Sequence, residues 1–341
     1  MKKVAPTFDK TLPKNLPLLF QARAQLCENV IAQAAKDAKG TFQYYTFKQV
    51  YNDIVTFAIA LRDLGIKRGD HVALISDNRR EWLISDLAIL SLGAADVPRG
   101  CDSMGNEIRF IISFADCNYG IFENSRQLDK VLEKVDEIPC MKTAILFDTI
   151  KEETAEKAKQ AGITVYQFAN LAAKGREILK NDPHCKAEVE AEMQMTDGEE
   201  IATLIFTSGT TGTPKGVMLS HRNFLAQMEV MHNCLPVKEG DMWLTVLPVW
   251  HVFERAIQYV AITLKSGLAY SKPVAAVMLP DMATIKPQWM CGVPRLWESL
   301  YTGVNRSMKK AGGIKYAMFR FFISVGKKYA WAKEHITGCV C

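Results

Sequence analysis

Ten consecutive residues constrain this 341-residue chain more than any other segment. The run Thr207-Ser208-Gly209-Thr210-Thr211-Gly212-Thr213-Pro214-Lys215-Gly216 holds four threonines, one serine, three glycines and one lysine. It follows an apolar run at 201–206 that reads as a buried strand, and residues 221–235 after it read as a helix capped by Ser220. Glycines allow positive φ and close approach of backbone to a ligand. Hydroxyls, amide N–H groups and an ammonium together suit a polyphosphate. A loop that needs only flexibility has no use for so many donors behind a buried strand. The Walker A pattern is excluded, because it requires Ser or Thr directly after its lysine and Gly216 stands there.

Around this loop the chain reads as α/β. Thr46 caps a helix starting at Phe47, on which Val50, Ile54, Phe57, Ala58 and Leu61 recur at helical spacing until Gly65 ends it. Short apolar stretches at 71–75, 94–98, 119–122, 143–147 and 163–166 read as strands, with helices at 81–92 and 107–114 between them. Such alternation predicts mostly parallel sheets flanked by helices. The polar, acidic stretch 188–200 reads as a linker. It divides the chain into a first α/β subdomain, 1–195, and a phosphate-loop subdomain with acyl-binding segments, 196–341.

Composition narrows the function classes. Hydrophobic residues at 48% and charged residues at 23% are ordinary for a globular protein with a sizeable core. A net charge of +5 without a recognition motif argues against nucleic acid as a partner. The nine cysteines are scattered singly apart from Cys339 and Cys341, which points to reduced thiols and a cytoplasmic setting rather than a disulfide framework or a zinc site. A CaaX box would need cysteine at Gly338. No window has the ~18 uncharged apolar residues of a spanning helix, and the N-terminus lacks the apolar region of a secretory signal. Between Arg306 and Lys333, basic residues alternate with aromatic ones such as Phe321, Phe322 and Trp331. Such a stretch can lie peripherally on an anionic inner membrane face, although basic residues commonly just coat a helix packed on the body.

The run TSGTTGTPKGVMLSH closely resembles the phosphate loop of the adenylate-forming (ANL) superfamily, which includes acyl-CoA synthetases, peptide-synthetase adenylation domains and luciferases. The likeness covers nearly the whole chain from about Phe42: Tyr45-Thr46-Phe47, Gly69-Asp70-His71-Val72-Ala73 through Asn78, and Gly93-Ala94 through Pro98 are similar to other family segments. Residues Leu247-Pro248-Val249-Trp250-His251-Val252-Phe253-Glu254-Arg255 and Gly292-Val293-Pro294-Arg295-Leu296-Trp297-Glu298 resemble the forms seen in long-chain fatty acid–CoA ligases.

That resemblance implies the fold of the large N-terminal domain of acyl-CoA synthetases. It also implies ATP-dependent conversion of a long-chain fatty acid to an acyl-adenylate and then an acyl-CoA, with ATP, Mg²⁺ and coenzyme A. By motif position, Thr207 would help hold Mg²⁺, and Ser208, Gly209, Thr210, Thr211 and Gly212 would wrap the β- and γ-phosphates. Thr213 and Gly216 would complete the nucleotide loop, and Lys215 would neutralise phosphate charge. His251 would sit beside the adenylate, so that Lys215 and His251 carry the catalytic roles. Trp250, His251 and Phe253 would line the acyl site. Glu254 and Arg255 occupy the neighbourhood of a tryptophan that gates fatty acid access in some relatives, so that gate is not carried over.

The family's "YG-x-TE" motif, ribose-binding aspartate, hinge and C-terminal lysine do not occur in the sequence. The resemblance therefore implies an N-terminal part without the family's lid domain, complete only with a missing C-terminal half. Two alternatives differ in class. A nucleotide-binding module, or a degenerate truncated synthetase, would bind ATP without chemistry. An amino-acid-activating domain would need an acidic residue for the substrate amine, and none is assignable.

Overall fold

A computed structural model describes residues 11–207 and 214–336. They fall into two compact units, one within Met1–Lys272 and Pro280–Cys291, the other within Pro273–Leu279 and Gly292–Cys341. The first unit holds twelve strands among the described residues. In chain order they are β1 (Ile31–Lys36), β2 (Phe42–Thr46), β3 (His71–Ile75), β4 (Ala95–Arg99), β5 (Tyr119–Phe122), β6 (Thr143–Leu146), β7 (Thr164–Gln167), β8 (Ile201–Thr207), β9 (Lys215–Ser220), β10 (Met242–Thr245), β11 (Gly267–Tyr270) and β12 (Trp289–Met290).

They form a seven-stranded sheet in the order β7-β6-β5-β3-β4-β8-β9 and a five-stranded sheet in the order β12-β10-β11-β1-β2. Pairing is parallel except at β8–β9 and β1–β2. The expected α/β architecture of mostly parallel sheets flanked by helices is thus what the chain adopts.

Burial explains the short apolar runs. Side chains alternate across a strand, so a strand covered on both faces must be apolar throughout. On β3, Val72 and Leu74 join one core cluster while Ala73 and Ile75 join the other. The first cluster joins residues of both sheets, Ala32 and Leu268 from one and Ile121 and Ile145 from the other, through helices Phe47–Asp63, Arg80–Leu90 and Val252–Thr263. The second lies on the other face of the larger sheet with helices Gly105–Phe114 and Ser125–Leu132.

The helix at Phe47 forms as its pattern predicts. Thr46 Oγ1 accepts from Gln49 N at 3.3 Å, and Gln49 Oε1 accepts from Thr46 N at 2.8 Å. Val50, Ile54, Phe57, Ala58 and Leu61 are all at most 1% exposed. Beyond its end, Gly65 takes φ +101°, a conformation costly for a residue with Cβ.

One expectation needs correction. The stretch read as a linker is largely the helix His184–Met195. Val189 and Met193 on it are fully buried, and Glu188 and Glu192 pair with Arg62 and Arg68, each at 2.6 Å. Acidic composition there reflects ion pairing to a packed surface, not a solvated connection. Moreover β8, after residue 195, pairs with β4 before it, so the two sides of that boundary share one sheet. The helix expected after the phosphate-loop run does form, as His221–Cys234 with Ser220 as its N-cap. What the sequence did not announce is the strand β9 before that helix, which pairs antiparallel with β8.

Candidate functional site

The carboxyl ends of β3, β4, β5 and β8 lie side by side in the larger sheet. The connection after β3 leads to helix Arg80–Leu90 on one face, and that after β5 leads to Ser125–Leu132 on the other. In open α/β sheets such a divergence leaves a crevice, and ligands bind there. Asp77, Cys101 and Glu123, which follow β3, β4 and β5, bring their ligating atoms within 4.8 Å of one another at this edge. Burial pushes the Asp77 carboxyl and the Cys101 thiol above their usual ranges, with neighbouring carboxylate charge adding to it. A protonated thiol between two carboxylates is a poor Mg²⁺ ligand set, and Thr207 is not part of it.

Thr207 ends β8 and lies opposite Lys215, the first residue of β9; both are exposed. The two residues are therefore direct partners in the strand register. Ser208, Gly209, Thr210, Thr211, Gly212 and Thr213, the rest of the expected phosphate cradle, lie outside the described residues. Gly216 is paired with Phe206, whose ring lies 3.2 Å from where a Cβ on Gly216 would sit. Phe206 in turn meets Phe114 edge-on at 5.7 Å between centroids. The root of the hairpin is thus anchored by aromatic packing.

The second expected segment is clamped from β3. Asn78 Nδ2 donates to Leu247 O at 2.6 Å, and Val249 N donates to Asn78 Oδ1 at 2.8 Å. One amide side chain thereby fixes the backbone just before Trp250. Trp250 lies directly against Gly100 at the end of β4. The Arg99 guanidinium lies over the Trp250 ring, 5.3 Å from its centroid, and donates from Nη1 to Phe206 O at 3.1 Å. One guanidinium therefore touches both segments singled out in the sequence.

His251 is the N-cap of helix Val252–Thr263, where its Nδ1 accepts from Phe253 N at 3.2 Å. An accepting Nδ1 requires the tautomer protonated at Nε2, so Nε2–H is the donor this ring can offer a ligand. The same ring can therefore cap the helix and still offer a donor. Phe253 is half exposed.

Beneath the site lies a buried network, of which the sequence reading took only Arg255, and that as part of a motif. Arg255, 1% exposed in its side chain, donates to Asp96 from Nη1 at 2.9 Å and Nη2 at 2.7 Å, to Asp86 at 2.6 Å and to Tyr259 Oη at 3.1 Å. Tyr259 Oη donates to Asp86 at 2.5 Å and Thr203 Oγ1 to Asp96 at 2.6 Å. Two carboxylates thus share one cation. Burial pushes Asp86 well above the usual carboxylate range, Arg255 opposing and the Asp96 charge adding. His221, buried beside them, is held neutral by desolvation and by Arg255, with its pKa down to about 4. Its neighbour in sequence to Arg255, Glu254, is 2% exposed, and burial pushes its pKa up to about 8. The signal for this network was an isolated acid in each of two apolar elements, Asp86 in a helix and Asp96 in a strand.

The other long-chain segment, residues 292–298, belongs to the second unit, where it opens helix Pro294–Ala311. Helix Gly313–Ile336 follows, and Phe321, Phe322, Tyr329 and Trp331 on it are exposed. Among the described residues no helix is long and apolar enough to cross a membrane.

Comparison with known proteins gives a consistent picture. The sequence profile of the family described as AMP-binding enzyme matches residues 20–330. A chloroplastic long-chain-fatty-acid–[acyl-carrier-protein] ligase from Arabidopsis thaliana is 30% identical over 293 residues, covering 86% of this chain and 40% of the ligase. Long chain acyl-CoA synthetase 5 from the same plant is 28% identical, covering 82% of this chain and 41% of its own length. The chain thus spans about two fifths of the length of these relatives. Among solved structures, the adenylation domain of a carboxylate reductase from Mycobacterium chelonae superposes with a TM-score of 0.72 at 18% identity, over 89% of this chain and 49% of that one. An AMP-bound didomain of a carboxylic acid reductase from Segniliparus rugosus gives 0.74 at 18% identity, over 90% of this chain and 47% of that one. At such identity these two establish the fold.

Proposed function

Since the chain belongs to the AMP-binding enzyme family, we propose that it supplies the triphosphate-gripping part of an enzyme activating a long-chain fatty acid as its acyl-adenylate, for transfer to coenzyme A. The observation that carries this reading is the hairpin that sets Thr207 opposite Lys215 at the mouth of a loop rich in hydroxyls and glycines. Relatives named as long-chain acyl-CoA synthetases and a long-chain acyl-carrier-protein ligase support the substrate class.

A carboxylate is a poor acyl donor because oxide is a poor leaving group. Attack of a carboxylate oxygen on the α-phosphorus of ATP forms the acyl–phosphate bond and breaks the bond to the β-phosphate oxygen, releasing pyrophosphate. A second step forms a thioester as the thiol of coenzyme A displaces AMP. In the first step negative charge spreads over phosphate oxygens, so positioned donors and a cation lower the barrier. The Lys215 ammonium neutralises that charge, and the loop amides and hydroxyls at 208–213 orient it. The Nε2–H of His251 donates toward the adenylate. Thr207 would offer Mg²⁺ a hydroxyl oxygen, the hard oxygen donor that this ion prefers. Mg²⁺, when bound, supplies positive charge against the β- and γ-phosphates. Trp250 and Phe253 contribute apolar surface for the acyl chain. The lysines and exposed aromatics between residues 306 and 333 support peripheral contact with an anionic membrane face in the cytoplasm, where such a substrate dissolves.

The test is MgATP titration by calorimetry together with palmitate-dependent pyrophosphate exchange. Lys215→Ala is expected to weaken MgATP binding by about 10-fold or more, the worth of a charge-assisted hydrogen bond. Unchanged affinity in both Lys215→Ala and Gly212→Val ends this assignment. Binding without exchange leaves a nucleotide module in place of an enzyme.

A further inference from the structure

We infer that Arg99 is a positioning residue that couples the phosphate-loop hairpin to the Trp250–His251 segment. The inference rests on the function proposed above and adds to it the link between its two halves.

Arg99 is the last residue of β4, the strand that pairs with β8. Its backbone is held by the ladder, with Ser76 N donating to Arg99 O at 3.0 Å. From this fixed base the side chain performs two tasks at once. Nη1 donates to the carbonyl of Phe206, one residue before Thr207. The guanidinium Cζ lies over the Trp250 ring, 5.3 Å from its centroid. Glu107 Oε2 lies 3.6 Å from Nη2 and steadies the charge. The side chain is only 20% exposed, and Nε is buried without a hydrogen-bond partner among the described residues. Burying an unspent donor is unfavourable, so the group is held there by its plane and its Nη atoms.

The indole also abuts the next residue of the chain, Gly100. A Cβ on Gly100 would lie 2.1 Å from Trp250 Nε1, so indole and backbone are already in contact. Asn78 fixes the backbone of the same segment. Trp250 thus meets both Gly100 and Arg99, and His251 follows it directly. A movement of the β8 end on binding triphosphate would reach the indole through Arg99. The chemistry calls for arginine: a planar guanidinium donates in its plane and stacks through its face, whereas a lysine ammonium is a point charge.

The experiment uses the full chain with MgATP as the probe. Trp250 emission is isolated as the difference between the chain and its Trp250→Phe variant, and affinity is read separately by calorimetry. Arg99→Met keeps the stem and removes both charge and plane; Arg99→Lys keeps the charge alone. In Arg99→Met, MgATP should still bind, while the nucleotide-induced change in Trp250 emission is lost. In Arg99→Lys that change should fall by about 3-fold or more, because an ammonium lacks the planar fork that can donate to the carbonyl and cover the ring at once. Thermal melts report whether each variant folds, and should Arg99→Met fail, Arg99→Lys decides. A full Trp250 response in either folded variant with nucleotide bound overturns the inference, as does a wild-type chain that binds MgATP with no Trp250 response. A wild-type chain that binds no MgATP overturns the proposed function itself. If Lys215→Ala weakens binding but Trp250 responds normally in the Arg99 variants, only the coupling is refuted.

Discussion

Gly100 shows how little freedom the site allows a single residue. The Trp250 indole occupies the place of its missing side chain, with Nε1 2.1 Å from where a Cβ would stand. The Gly100 backbone touches the ring, and the Arg99 guanidinium lies over it at 5.3 Å from the ring centroid. Gly100→Ala is therefore expected to destabilise the fold by about 1–3 kcal/mol, as overpacking does. Combining it with Trp250→Ala should recover most of that loss in a double-mutant cycle of thermal unfolding. Additive losses would show that indole and glycine do not compete for space. His251 also illustrates residue-level economy. Its Nδ1 caps a helix while the tautomer so enforced leaves a donor at Nε2. The motif identified His251; which ring nitrogen is committed depends on the backbone N–H it meets.

At the level of elements, helix Val252–Thr263 carries two buried groups of opposite consequence. Arg255 binds it to helix Arg80–Leu90 through Asp86 and to β4 through Asp96. Arg255→Met should cost about 3–5 kcal/mol in urea unfolding, because it strands two buried carboxylates. Adding Asp96→Asn should return part of that cost, and a further loss instead would mean that the Asp96 charge has another partner. Glu254 on the same helix titrates in the other direction. Its folded pKa is raised from 4.5 to about 8, so the folded chain holds a proton that the unfolded chain gives up. Stability from this group is therefore present below 4.5 and is lost as pH rises toward 8. Glu254→Gln should flatten that slope and stabilise the chain by up to several kcal/mol at the alkaline end, each pKa unit being worth about 1.4 kcal/mol. At acid pH the two should melt alike; a difference there that matches the alkaline one would assign the effect to packing.

For the whole molecule, ligand binding and folding are linked. Anything that binds only the folded state stabilises it by RT ln(1 + [L]/Kd), about 2.7 kcal/mol at a hundredfold excess over Kd. MgATP should therefore raise the melting temperature of the full chain in a concentration-dependent way, and Lys215→Ala should need about 10-fold more nucleotide for the same shift. An equal shift in both would place the nucleotide elsewhere. Both sheets lie in one unit, and both core clusters draw on the larger of them, so nucleotide-linked stabilisation should appear across that unit in hydrogen exchange.

The sequence alone determined the alternation of short apolar strands with amphipathic helices, the cap at Thr46, the donor-rich loop and the family. These are local patterns, set by side-chain periodicity and by residues adjacent in the chain. Only the tertiary structure decided that Lys215 begins an antiparallel strand, and that the acidic stretch is a helix paired to Arg62 and Arg68. It also decided that Arg255 meets Asp86 and Asp96 across 169 and 159 residues, and that Arg99 touches both segments of the site. An isolated charge in an apolar run announces that it needs a partner, because burying it alone is too costly. The partner's identity depends on which strands lie side by side, and that is fixed by packing among residues far apart in the chain.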